Sequence, residues 1–359
     1  MEVGLVVPDD LETTSGGYRY DRRLVAELRA RGDDLEVIVL SETTGDDLRS
    51  RLDRRFDVLL QDELCYDRLA AHNPNLESPE LVVSLVHNLQ SDDPSLANRK
   101  RERLRDRERR YLGTVDAAVC TSAHTRSRIG SLVDLPTVVA PPAGRHETVP
   151  VDRSAVVARA RESPLRIAFV GNLVPRKGLE ALLEAASRLE GDWELTVAGS
   201  PDADPAYATR MRERARTLEV ADRIEFAGRV PDDALESIYE RSHVLAVPSR
   251  HEAFGMVYLE GMEYGAVPIA SRNGGASEFV ADGENGFLVA PEASDRIAAR
   301  LEELVADRDR LASLGVRALE TATAHPWWAE TATTVRSFLQ RGLESEFESH
   351  GAESEEASP

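Results

Sequence analysis

The chain of 359 residues carries two cysteines, Cys65 and Cys120. They are too few and too isolated for a disulfide framework or a thiolate metal site, and they fit a reducing cytoplasm. Lysine is as scarce. Lys100 and Lys177 stand among 44 basic residues, so a lysine inside a glycine-containing loop is conspicuous. No apolar run approaches the roughly 18 residues of a membrane span. The opening stretch MEVGLVVPDD shows neither a basic leader nor a cleavage site. The expectation is a soluble or peripheral protein of the cytoplasm. Positive charge is also in deficit, 44 basic against 64 acidic residues for a net charge of −20, which argues against a nucleic-acid partner. What remains is an ordinary globular composition, 42% hydrophobic and 30% charged, in a length that suits two domains.

Short apolar runs alternate with longer amphipathic stretches, the pattern of strands buried on both faces by crossover helices. In the first half the strands are expected at 2–7, 35–40, 57–60, 81–86, 117–120 and 137–140. In the second they are expected at 166–170, 194–198, 224–227, 244–247, 267–270 and 286–289. The intervening 141–164 is rich in proline and arginine and reads as a linker. The fold class is therefore α/β, with two doubly wound, Rossmann-like parallel-sheet domains, 1–150 and 151–324. Ligands of such sheets lie outside the carboxyl ends of the strands, and two facing sheets leave a cleft. A terminal helix at about 325–343 is expected to cross back to the first domain and to bury Trp327 and Trp328. The acidic, low-complexity 344–359 is expected to be disordered.

Two stretches carry chemistry. In GNLVPRKGLEALLEAASRL, 171–189, Arg176 and Lys177 are held where a helix begins, so their charge opposes the dipole and calls for an anion. A diphosphate answers that need, with the guanidinium as a fork and the ammonium as a point charge. Two exposed turn cations are the plainer alternative. In the second stretch, 247–289, a strand leads through a loop with Glu252 into a helix bearing Glu260. Eight helical positions would separate their Cα atoms by roughly 12 Å, beyond the roughly 5 to 9.5 Å of a glycosidase carboxyl pair. They suit two parts of one extended ligand, such as the ribose and the sugar of a nucleotide sugar. The plainer alternative is a loop charge and a solvated helix residue. No set of residues has metal-ligand spacing, and Asp202 and Asp204 read as loop residues in PDADP. Neither metal nor cofactor is expected.

Residues 166–290 resemble the donor-binding half of family 4 of the GT-B retaining glycosyltransferases. The G-x-L-x-x-x-K-G loop is matched by Gly171, Leu173, Lys177 and Gly178, and E-x7-E by Glu252 and Glu260. Gly265, Val267 and Pro268 follow, then Gly274, Gly275 and Glu278. The resemblance implies a GT-B fold and transfer of a hexosyl group from a nucleoside diphosphate sugar to an acceptor hydroxyl, with retention and without metal. It implies that Arg176 and Lys177 hold the diphosphate beside Gly171. Glu252 and the backbone of Phe254, Gly255, Met256 and Val257 would bind the sugar, Glu260 the ribose, and 228–230, with Arg229, would flank the base. In the first domain Gly16 and Gly17 match the family's glycine loop. His87 matches a histidine near the donor sugar, although Asn88 stands where the family often has aspartate.

The acceptor is left open among glycans, lipid-linked molecules and small molecules. The basic stretch 98–112 reads either as a solvated helix laced with i,i+4 pairs, interrupted by acids at 102, 106 and 108, or as a contact with a phosphorylated acceptor or with anionic lipid headgroups on the inner face of a membrane. Co-sedimentation with anionic vesicles at low salt separates the two. The rival functions are a non-catalytic nucleotide-sugar-binding protein and another enzyme of the same architecture, such as a sugar-nucleotide epimerase or a phosphorylase.

Overall fold

The structure is a computed structural model that describes all residues except 14, 44, 345, 346 and 348–359. The expected disordered tail thus lies almost wholly outside the described residues. The chain divides into two compact units, one of Met1–Asp92, Leu96–Pro142 and the residues from Pro326 on, the other of Asp93–Ser95 and Ala143–His325.

In chain order the first unit contains β1 (Glu2–Val7), α1 (Gly16–Ala30), β2 (Asp34–Val39), α2 (Gly45–Leu52), β3 (Val58–Asp62), α3 (Tyr66–Leu69), β4 (Leu81–Val86), α4 (Asn98–Leu112), β5 (Ala117–Cys120), α5 (Ala123–Gly130) and β6 (Thr137–Val139). The second contains α6 (Arg153–Ala160), β7 (Leu165–Val170), α7 (Leu179–Ala186), β8 (Trp193–Ala198), α8 (Pro205–Thr217), β9 (Ile224–Gly228), α9 (Asp232–Arg241), β10 (Val244–Val247), α10 (Met256–Met262), β11 (Val267–Ser271), β12 (Phe287–Val289), α11 (Ser294–Ala306) and α12 (Arg308–Ala324). Helix α13 (Trp328–Leu343) belongs to the first unit. Each unit has one six-stranded sheet, ordered β2-β1-β3-β4-β5-β6 and β12-β11-β10-β7-β8-β9, and every strand pair is parallel. All twelve expected strands are present within two residues of their expected bounds. Parallel strands covered on both faces need continuous apolar runs, and LVVSLV of β4 is buried throughout.

Strand order reverses between β1 and β3 in the first sheet and between β7 and β10 in the second. At such a switch point the loops leaving adjacent strands diverge to opposite faces and open a crevice at the carboxyl edge. The loops that follow β7 and β10 carry Arg176, Lys177 and Glu252. Those that follow β1 and β3 carry Gly16, Gly17 and Glu63.

Three expectations need correction. The presumed linker contains α6, capped by Asp152, whose side chain accepts from the Ala155 N–H at 2.9 Å. Its small apolar face is enough, because Val156 packs with Val316 and Leu319 of α12 where Gly315 leaves room. Of the two tryptophans only Trp328 is buried, edge-on to Tyr20 at 5.5 Å; Trp327 precedes the helix, and its N–H donates to Glu330 at 2.9 Å. The 98–112 helix forms as α4, but its acids are not all solvated. Glu108 is buried and accepts from the Ser91 N–H at 3.0 Å, while Arg107 and Arg109 pair with Asp67 and Asp106 at the surface. Such exposed pairs add little stability. Among the described residues no helix is long and apolar enough to cross a membrane.

Candidate active site

The second unit's site is built from three loops. After β7 a single 3-10 turn, Pro175–Lys177, presents Arg176 and Lys177, and Gly178 then takes φ 76° to start α7. That left-handed turn disfavours any side chain, and a Cβ would meet the Pro248 carbonyl at 2.1 Å. The close approach zips this loop to the one after β10. The Arg250 N–H donates to the Arg176 carbonyl at 2.8 Å, and the Arg176 guanidinium donates to the His251 carbonyl at 3.0 Å. Lys177 Nζ lies 2.6 Å from Glu252 Oε2, which also accepts from the Ser249 hydroxyl at 3.1 Å. Glu252 thus supplies the anion that the paired cations demand. Burial alone would push its carboxyl up, but Lys177 and Arg176 outweigh burial and hold it down at about 2.

The third loop, after β11, fixes the Glu252 backbone. The Glu252 N–H donates to the Asn273 carbonyl at 3.1 Å, and the Gly275 N–H donates to the Glu252 carbonyl at 3.0 Å. Gly274 has φ 127° and ψ −160°, and a Cβ there would lie 1.7 Å from the Glu252 carbonyl oxygen. Helix α10 then starts at Met256 behind Gly255, with Met256 and Val257 half-buried in its first turn. The Phe254 side chain is core, packed on Phe279, so only its backbone is available to a ligand. Glu260, one turn on, is buried and accepts from the Tyr239 hydroxyl at 2.8 Å. Arg229 is exposed just beyond the end of β9, and Gly171 closes β7 by donating to the Ala198 carbonyl at 3.0 Å. Asp204 caps α8, accepting from the Tyr207 N–H at 2.9 Å, which accounts for half of the D-x-D. A groove of about 440 Å³ beside β8, β9 and α9 is lined by Thr196, Glu225, Ser237 and Arg241, and by neither Lys177 nor Glu252.

In the first unit His87, just past β4, packs its ring under the glycine turn, and a Cβ on Gly17 would meet it at 3.2 Å. Gly16 opens α1, one turn before Asp21, which lies 2.9 Å from His87 Nε2. Glu63 accepts from the backbone N–H groups of His87 and Asn88 at 3.0 and 3.1 Å. Asp21, Asp62 and Glu63 are all buried. Potential ligand atoms of Asp21, Asp62 and His87 lie within 4.8 Å of one another, a convergence that sequence spacing hides. The direct hydrogen bond between His87 and Asp21 makes it a proton-linked cluster. Burial would push the His87 imidazole down, but Asp21, Glu63 and Asp62 raise it to about 10, while burial raises Asp62 and Glu63. A histidine raised in the fold stabilises fully below its unfolded pKa of about 6.5, and that stability is lost as pH rises through the folded value. The melting-temperature gap between the wild type and His87→Asn should therefore be widest near pH 6 and shrink toward pH 10, as differential scanning fluorimetry would show.

Residues 152–321, nearly the whole second unit, match the family model of glycosyl transferases group 1. That stretch is similar to the group 1 glycosyl transferases. One relative is the GDP-mannose-dependent alpha-(1-6)-phosphatidylinositol monomannoside mannosyltransferase of Mycobacterium tuberculosis, 32% identical over 252 residues, which are 65% of this chain and 63% of the relative. The chain thus spans less than two thirds of that relative's length. Sucrose-phosphate synthase of Thermosynechococcus elongatus shares its GT-B fold, with a TM-score of 0.80 and 21% identity over 96% of this chain and 99% of that one. HepE of Anabaena, solved with UDP-glucose, superposes with a TM-score of 0.76 and 16% identity over 95% of this chain and 99% of the other.

Within the second unit the structure brings Arg176, Lys177 and Glu252 together and gives Glu260 a separate set of partners. Sequence reading missed those partners: Ser249 and Asn273 at Glu252, Tyr239 and Arg145 at Glu260, and Asp21, Asp62 and Glu63 at His87. Asp21 alone left a trace, four positions after Gly17 on a helix. Ser249 lies three positions before Glu252 in the same loop, while the others come from distant elements and leave no local pattern.

Proposed function

We propose that the chain moves a hexosyl group from a nucleoside diphosphate sugar to an acceptor hydroxyl, with retention at the anomeric carbon. The observation that carries the reading is the Arg176, Lys177 and Glu252 cluster at the switch point of the second sheet, with Lys177 and Glu252 2.6 Å apart. In this reading the donor diphosphate lies against Arg176 and Lys177, and Glu252, ionised throughout the neutral range, accepts hydrogen bonds from sugar hydroxyls. Backbone groups of Phe254 to Val257 complete the sugar pocket, Glu260 takes the ribose hydroxyls, and Arg229 flanks the base.

The bond from the anomeric carbon to the diphosphate oxygen breaks while the bond to the acceptor oxygen forms on the same face. The acceptor proton passes to the departing diphosphate, so no protein nucleophile is used. The two cations stabilise the charge that grows on the leaving group in the place a divalent ion would take. GDP-mannose in one relative's name and UDP-glucose in one related complex support a nucleoside diphosphate sugar as donor. The relative's inositol lipid acceptor puts such lipids first in an acceptor panel.

A thermal-shift panel of UDP, GDP and ADP sugars should show stabilisation by one base series. The matching donor, incubated without acceptor, should slowly release nucleoside diphosphate, with a chelator making no difference. A product of inverted configuration by NMR would overturn retention. Stabilisation without release would overturn the transferase function and leave a binding protein or an epimerase, while absence of both would overturn the nucleotide-sugar reading itself.

A further inference from the structure

A second polar cluster in the same unit surrounds Arg145, from the stretch that precedes α6. The Arg145 guanidinium lies 2.7 Å from Asp232 at the start of α9, 3.5 Å from Glu260 on α10 and 3.8 Å from Glu236. Its backbone is pinned to the same helix end. The N–H groups of Arg145 and His146 donate to Glu263 at 3.0 and 3.3 Å, and a Cβ on Gly144 would meet Glu263 Oε1 at 1.8 Å. His146 completes the anchor with a 2.9 Å hydrogen bond to the Tyr264 hydroxyl. Only 9% of the Arg145 side chain is exposed, so this is no surface ion pair. A guanidinium buried so far needs facing acids to offset its lost hydration, and Asp232 and Glu260 provide them.

Glu260 Oε2 receives two donors, the Tyr239 hydroxyl and the Arg145 guanidinium. A glutamate has three side-chain torsions, and recognition of two vicinal hydroxyls requires its carboxylate in one orientation. Two donors on one oxygen select that orientation. We propose that Arg145 is the positioning residue that sets the Glu260 carboxylate for the donor ribose. Ribose recognition then depends on a residue 115 positions away in the chain, outside both donor motifs. The inference rests on the reading of Glu260 as the ribose ligand. Arg145 acts through Glu260 and leaves the diphosphate cations alone, so its loss weakens donor binding more than it slows turnover.

Calorimetry tests this with whichever of UDP, GDP and ADP binds most tightly and with its 2′,3′-dideoxy counterpart. The wild type should favour the ribonucleotide by about tenfold, the scale of hydrogen bonds to a charged group. Glu260→Ala should abolish the preference. Arg145→Gln should abolish it too, with no further loss in the double variant, while Arg145→Lys should keep part of it, since it retains charge without the fork. If Glu260→Ala keeps the preference, the ribose reading fails. If Glu260→Ala loses it and a folded Arg145→Gln keeps it, the positioning role fails. Should the glutamine variant not fold, an undiminished preference in Arg145→Lys overturns the inference equally.

Discussion

Alanine at position 177 should lower kcat by about 10² or more, the scale of removing one preorganised donor from a developing oxyanion. The lost ammonium is the cation nearest Glu252, at 2.6 Å, and no described neighbour replaces it, because the Arg176 guanidinium already donates to the His251 carbonyl. Two consequences separate this from general damage. Glu252 would lose its strongest favourable neighbour, so its carboxyl would rise from about 2 toward the range in which burial places it. The acid limb of the pH–rate profile should then move to higher pH. Lys177→Arg should recover part of the rate, since charge is preserved while the point-like geometry is not. Steady-state kinetics with the matched donor decides the matter, and wild-type turnover in the alanine variant would remove Lys177 from the chemistry.

The second large effect is expected at a residue that touches no substrate. Gly274→Ala should reduce kcat/KM by about 10², the penalty for moving a reacting constellation by about 1 Å. Its added Cβ would lie 1.7 Å from the Glu252 carbonyl oxygen in a backbone conformation open essentially to glycine alone, so the Glu252 loop must move. The melting temperature should fall as well, because the same hydrogen bonds tie the loops after β10 and β11. Gly130→Ala is the control. That glycine ends α5 with nothing within 4 Å of the added atom, and its replacement should leave activity unchanged. Equal activity in both variants would mean that the Glu252 loop tolerates displacement and does not set the rate.

The sheets were legible in the sequence because parallel strands covered on both faces must be written as short continuous apolar runs, and VLAV of β10 is wholly buried. The donor loops were legible because glycine, lysine and glutamate fall at fixed spacing around strand ends. What stayed hidden has a common physical cause. Arg145, Tyr239 and Glu63 act by reaching groups delivered by other elements, and partnerships across the fold leave no periodicity. Helix α6 was hidden for another reason: its apolar face is made of valine and alanine, which is sufficient only because Gly265 and Gly315 leave space against it. Glu108 reads as surface charge and is instead a buried acceptor for the Ser91 N–H.

The three loops around Glu252 follow β7, β10 and β11, which lie side by side in the sheet although β8 and β9 separate β7 from β10 in the chain. The His243 N–H meets the Arg166 carbonyl across 77 positions, and Gly274 arrives still later. Closing a loop of that length delays the pairing, and no shorter segment can stand in for it. During refolding, recovery of donor binding should therefore lag behind the appearance of secondary structure. A nascent chain halted before β11 would carry Arg176, Lys177 and Glu252 without the Asn273 and Gly275 hydrogen bonds that fix the Glu252 backbone.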